Sequence, residues 1–208
     1  MINHSQSSIV GLLLAGGFSR RFGPQNKLLQ RLHNGQPMAL VAAKTLISAL
    51  PKSVAVLRLP ATDLTEPMHA LGFEVVQCQA QHQEMADSLK LGIDFALQTF
   101  PNLTGLVIAL ADMPFIKPAT ILEVAQRLTP DNIVQPHYAG NPGHPVGFGS
   151  DWITALRQVM GDQGARSILR ANQAQIVRFD SPDAGILKDI DTPADLLSLG
   201  SDAASTGL

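Results

Sequence analysis

Cysteine is nearly absent: the 208-residue chain has one, Cys78. A single thiol excludes an internal disulfide and a cysteine-built zinc site, and its place in the apolar run "FEVVQC" reads as a buried side chain in a protein of a reducing compartment. Charge is also scarce, at 15% of residues with a formal net charge of -2. Such a chain exerts no long-range attraction on nucleic acid or an anionic membrane, so any anion must be held by a local cluster. No apolar run approaches ~18 residues, and the opening "MINHSQSS" has neither the charged region nor the apolar stretch of a secretory signal. These absences predict a soluble cytoplasmic protein with no nucleic-acid and no membrane partner. Internal repeats, heptads and interdomain linkers are missing as well.

Hydrophobic residues make up 45% of the chain. That is enough for a sizeable core in one compact domain over residues 1–200, with the small polar end, 201–208, as a disordered tail. Short runs rich in Val, Ile and Leu ("SIVGLLLA", "SVAVLRL", "FEVVQC", "GLVIAL", "NIVQPHY", "QIVRFD") read as strands, several apolar enough to be covered on both faces. Between them lie helix-like stretches. "PMALVAAKTLISAL" spaces Leu40, Ala43, Ile47 and Leu50 along one face, and "MADSLKLGIDFAL" does so with Met85, Leu89, Ile93 and Leu97. "PATILEVAQRL" and "WITALRQVM" continue the alternation, which predicts an α/β fold: a three-layer sandwich with a mostly parallel central sheet, Rossmann-like. "PHYAGNPGHPVGFGS", residues 136–150, breaks the rhythm and predicts a loop and irregular hairpin over the sheet edge.

Open sheets of this kind bind ligands at the carboxyl ends of their strands. The first strand end carries "LLLAGGFSRRFGPQNK", Leu12–Lys27, where Gly16 and Gly17 permit close backbone approach and Arg20, Arg21 and Lys27 supply positive charge. The stretch fits an anion-binding loop but matches neither G-x-x-x-x-G-K-[ST] nor G-x-G-x-x-G, which disfavours P-loop hydrolases and the usual dinucleotide folds. "GLVIALADMPF" delivers Asp112 at a second strand end, either into the same cleft or as a turn cap. "GILKDIDTPADL" places Asp189 and Asp191 at alternate positions of a short strand, facing one side; equally, Thr192 and Pro193 suit a helix start. Separated carboxylates beside a basic glycine loop suit Mg2+ bridging protein and polyphosphate, which points to a nucleoside triphosphate.

Together "LLLAGGFSRRFGPQNK", "ALADMP", "GNPGHPVGF", "GDQGARSIL" and "KDIDTPADL" resemble the molybdenum cofactor cytidylyltransferases, within the glycosyltransferase-A-like nucleotidyltransferases. The first motif is shared across the superfamily; "GHPVGF" and "GDQGAR" carry the narrower likeness. The resemblance implies Mg2+-dependent transfer of CMP from CTP to molybdopterin-molybdate, giving the cytosine dinucleotide cofactor and pyrophosphate, with transient contact to a xanthine-oxidase-type molybdoenzyme. It implies that Leu14, Ala15, Gly16 and Gly17 bind the nucleotide through their backbone, and that Arg20, Arg21 and Lys27 hold the triphosphate. Lys27, Arg20 and Asp112 would act in catalysis, and Asp112 and Asp191 would hold magnesium, with Asp189 the other candidate. Ser88 and Leu89 match a loop that approaches the base; Gly143, His144 and Pro145 line the acceptor side, and Arg166 contacts an anionic acceptor or bonds a helix end or carboxylate.

The chain departs from the cytidylyl pattern twice. Gly16 gives "LAGG" where "LAAG" is usual, as in guanylyltransferase relatives that use GTP, and Glu84 stands where a glycine precedes the methionine of the base loop. Transfer of a nucleotidyl group to an existing phosphate needs positioning and charge neutralisation rather than a strong nucleophile, consistent with the lack of any serine, histidine or cysteine nucleophile motif. Other acceptors for the same fold are sugar or isoprenoid phosphates, and a non-enzymatic alternative is a molybdenum cofactor chaperone.

Overall fold

The computed structural model describes residues 8–16, 22, 26–58, 62–82 and 84–196. Its elements are β1 (Ser8–Ala15), α1 (Met38–Ala49), β2 (Ser53–Arg58), α2 (Thr62–Leu71), β3 (Glu74–Cys78), α3 (Met85–Thr99) and β4 (Leu103–Leu110). These are followed by α4 (Pro118–Gln126), β5 (Ile133–Tyr138), β6 (Asn141–Pro142), β7 (Val146–Gly149), α5 (Ile153–Arg157), α6 (Arg166–Ala171) and β8 (Ile176–Asp180). Each run read as a strand from its composition forms one. The tail 201–208 lies outside the described residues.

The strands form one sheet in the order β3-β2-β1-β4-β7-β5-β6, with β8 paired in parallel to β5. β1 is parallel to both β2 and β4, so the chain first builds outward to β3 and then returns to the other side of β1. The reversal point between β1 and β4 is where a doubly wound sheet opens a crevice.

Strand alternation feeds separate cores on the two faces of the sheet. Leu13 and Ala15 of β1, Ala55 and Leu57 of β2, and Val107 and Ala109 of β4 pack with α1, α2 and α4. Val10 and Leu12, Val54 and Val56, and Leu106 and Ile108 pack with α3, α5 and α6. The predicted three-layer α/β sandwich is the fold observed. Burial of each leucine, valine and isoleucine among these contributes roughly 1.5–3 kcal/mol relative to exposure. Among the described residues no helix is long and apolar enough to cross a membrane.

The glycine-rich stretch departs from the expected edge hairpin. Asn141–Pro142 does pair back on β5, but Val146–Gly149 inserts antiparallel between β4 and β5 with every residue buried. A strand so short, with Gly147 and Gly149 in it, carries little β signal of its own; hydrogen bonds to a neighbour on either side hold it.

The helix faces are also rotated from expectation. α1 buries Met38, Ala39, Ala42, Ala43, Leu46 and Ala49, leaving Leu40 and Ile47 at the margin. α3 buries Leu89 and Ile93 as expected, but Met85 is 40% exposed. Small residues face the sheet in both helices because they let the axis approach it closely.

Candidate active site

Lys27 is positioned by its own short turn. Asn26 accepts a hydrogen bond from the Leu28 N–H at 3.1 Å, capping the 3-10 turn Lys27–Leu29, and Leu28 anchors that turn in the core. Nearby, Phe22 packs with Met38 and Ile190. Asp112 follows β4, where the Ala111 N–H donates to Leu14 O at 3.1 Å and so fixes the end of β4 beside the end of β1. The Ile190 N–H donates to Asp112 O at 3.0 Å, which brings the next residue, Asp191, to the same place.

These backbone contacts make Lys27 Nζ donate to both carboxylates, at 2.9 Å to Asp112 Oδ2 and 2.7 Å to Asp191 Oδ1. Burial alone would depress the Lys27 pKa. The charge of Asp112, that of Asp191 and the hydrogen bonds to both outweigh burial and hold it above the ordinary lysine value. The ammonium is therefore a fixed cation at neutral pH.

Asp191, not Asp189, is the member of this cluster. Asp189 is exposed, and residues 188–191 form no strand, so alternation does not bring the two to one face. What orients Asp191 is the following turn: the Asp191 and Thr192 N–H groups both donate to Asp195 Oδ2, while Thr192 Oγ1 accepts from the Asp195 N–H at 3.3 Å. The helix start read at Thr192–Pro193 is thus present as well.

The donor set fits a hard divalent cation. Asp112 Oδ1 is buried without a hydrogen-bond partner, and among the described residues no group of three or more His, Cys, Asp or Glu could hold a metal. Magnesium characteristically takes one or two protein carboxylates and completes its shell with water and substrate phosphates.

A buried cation shared by a carboxylate at the end of β4 and another held beside it, next to the carboxyl end of β1, is where an α/β sheet would receive a polyphosphate. The family described as MobA-like NTP transferase domain matches residues 11–177. The chain belongs to this family. It is 30% identical over 194 residues to the purine catabolism protein PucB of Bacillus subtilis, covering 89% of this chain and 92% of that one. A nucleotidyl transferase from Methanothermobacter superposes with a TM-score of 0.80 at 19% identity, covering 96% of this chain and 99% of the other. Rv0371c of Mycobacterium tuberculosis, in complex with manganese, does so at 0.74 and 22% identity, covering 93% and 98%. The solved structures establish the fold; the family establishes a nucleotidyltransferase enzyme.

Around this MobA-like centre, the remaining site residues separate into groups. Leu14 and Ala15 end β1 beside the cluster and Gly16 follows them, whereas Gly17, Arg20 and Arg21 lie outside the described residues. Ser88 does not present its hydroxyl to the cleft: it is buried, 3.3 Å from Cys78 Sγ. A Cβ on Gly16 would lie 2.7 Å from Ser88 Oγ and 3.3 Å from Cys78 Sγ. The glycine of "LAGG" therefore faces protein, not an open base pocket. Leu89 is a core side chain.

Glu84 caps α3 in a reciprocal box with Asp87 and accepts from the Gly161 N–H at 2.8 Å. Met85 N–H donates to Asp162 Oδ1 and Ala86 N–H to Gly161 O. The first-turn donors of α3 are thereby occupied by protein, so this helix end offers them to no phosphate. Composition revealed neither this docking nor Asp183, whose buried carboxylate accepts from Lys117 N–H, Thr120 Oγ1 and Gly185 N–H at the start of α4.

On the acceptor side, a Cβ on Gly143 would lie 2.5 Å from Ile186, so this glycine also answers to packing. His144 donates its N–H to Ile186 O, while its Nδ1 is buried and unpartnered. Burial first, then the Arg166 cation, lowers the His144 pKa to about 4 against an opposing effect of Asp189. Pro145 is buried, and Arg166 is exposed at the start of α6.

Proposed function

We propose that the protein transfers CMP from CTP to the phosphate of molybdopterin-molybdate, giving the cytosine dinucleotide cofactor and pyrophosphate. The observation that carries nucleotidyl transfer is the Lys27 ammonium between Asp112 and Asp191 at the β1–β4 crevice. The choice of cytidine is supported by the "GHPVGF" and "GDQGAR" resemblance and by the packing of both departures from it. Gly16 packs against Ser88 and Cys78, and the Glu84 carboxylate is committed to α3 and Gly161, so neither needs a purine to explain it.

In this reading the backbone of Leu14–Gly17 lines the nucleotide, and Arg20, Arg21 and Lys27 neutralise its phosphates. An oxygen of the acceptor phosphate attacks the α-phosphorus in line; the bond from that phosphorus to the bridging oxygen breaks, and pyrophosphate departs. The acceptor oxygen is already ionised, so no side chain need remove a proton. Lys27 stabilises charge gathering on the leaving pyrophosphate. Asp112 and Asp191 would hold Mg2+, which screens the repulsion between two anionic substrates. The Gly143–His144–Pro145 segment and Arg166 would flank the acceptor, whose product passes to a xanthine-oxidase-type molybdoenzyme.

The test is incubation of the protein with each of the four nucleoside triphosphates, magnesium and molybdopterin-molybdate, with the product identified by mass. The cytosine dinucleotide is expected. A guanine dinucleotide would overturn the choice of base, and reaction only with a sugar or isoprenoid phosphate would overturn the acceptor.

A further inference from the structure

Arg58 is the last residue of β2, on the far side of β1 from β4 and Asp112. Its Nε donates to Gly16 O at 2.5 Å and its Nη1 to His82 O at 2.5 Å. Gly16 directly follows β1; His82 stands in the loop between β3 and α3. One rigid guanidinium fork thus spans both, a geometry that the single point charge of lysine cannot reproduce. On its Cα side Gly16 is backed by Ser88 from α3 and Cys78 from β3. The residue that leaves β1 is consequently held by β2, β3 and α3 together.

We propose that Arg58 is a positioning residue for the nucleotide, tying the Gly16 and His82 carbonyls together and so holding the end of β1 and the turn before α3 at the spacing that nucleobase binding needs. The inference rests on the nucleotidyltransferase reading above. Arg58 acts through backbone groups, so its loss loosens base binding without disturbing Lys27, Asp112 or Asp191.

The test compares wild type, Arg58→Met and Arg58→Lys by steady-state kinetics with CTP, calorimetric titration with CTP and with CMP, and thermal melting. Loss of the charge-assisted hydrogen bonds to the Gly16 and His82 carbonyls should raise KM by roughly tenfold or more in Arg58→Met while kcat stays within about twofold. Arg58→Lys, able to reach one carbonyl, should recover part of the loss. Affinity for CTP and for CMP should fall by the same factor. An unchanged KM overturns the proposal, as does a kcat loss equal to the KM change with a lowered Tm, which marks a purely structural role. A larger loss for CTP than for CMP also overturns it, since Arg58 would then act on the β- and γ-phosphates. Should Arg58→Met fail to fold, the same criteria apply to Arg58→Lys with a change of about threefold. Failure of the wild type to bind any of the four triphosphates would instead overturn the nucleotidyltransferase reading itself, and the nucleotide role of Arg58 with it.

Discussion

Lys27 Nζ lies 2.7 Å from Asp191 Oδ1 across 164 residues of chain, and the same nitrogen reaches Asp112. Replacing Lys27 with Met leaves those carboxylates facing each other without a cation. The transfer rate should fall on the order of a hundredfold or more, as when a charge-stabilising donor is lost. Stability should fall by about 1–3 kcal/mol, less than for a fully buried pair because both carboxylates are partly exposed. Turnover and urea denaturation check this; a stability loss alone would leave the lysine a structural role only.

Asp112→Asn keeps the side-chain volume and removes the charge that Asp112 Oδ1, buried and unpartnered, would bring to a metal. The variant should fold, and it should lack turnover at any magnesium concentration. Chelation should silence the wild type and added Mg2+ restore it. Wild-type rates for the variant at limiting magnesium would remove Asp112 from metal binding.

Gly16→Ala places a methyl group 2.7 Å from Ser88 Oγ. The expected result is a loss of about 1–3 kcal/mol in stability and an equal fall in kcat/KM for CTP and GTP, because the clash is with protein. Adding Ser88→Gly should recover most of it, a coupling that a double-mutant cycle measures. A loss confined to GTP would mean that the base itself lies against Gly16.

Glu84→Ala removes both the α3 cap and the acceptor for the Gly161 N–H. A loss of about 1–2 kcal/mol is expected, with faster amide exchange at Gly161. Exchange unchanged at Gly161 would show that the 160–164 segment does not depend on this contact.

His144 carries a pKa lowered to about 4 by burial and by Arg166, against Asp189. The unfolded chain binds a proton near pH 6.5 that the folded chain refuses until about pH 4, so stability should fall as pH drops through that window. The loss attributable to this residue is up to about 3 kcal/mol. Urea denaturation from pH 7 to 4 on wild type and His144→Gln should show a shallower acid decline in the variant; superimposable declines would refute the assignment.

The sequence by itself determined the layers, because a strand covered on both faces must be apolar throughout and each strand run here is bounded by turn residues. It also picked out two members of the buried ion cluster, since Lys27 after a glycine pair and Asp112 before Pro114 are local signals near strand ends. It left open whether Asp189 or Asp191 joins them. That was decided by the Ile190 N–H bonding Asp112 O and by Asp195 receiving the Asp191 and Thr192 N–H groups, contacts no spacing encodes. Tertiary structure alone placed Val146–Gly149 inside the sheet, because two glycines in a short strand lack propensity and the partners lie far away in sequence. It alone showed what Gly16, Ser88, Glu84 and Arg58 touch. Whether glycine serves a ligand or a neighbouring side chain, and whether a charged group faces solvent or a backbone carbonyl, depends on what the fold brings within about 3 Å of it.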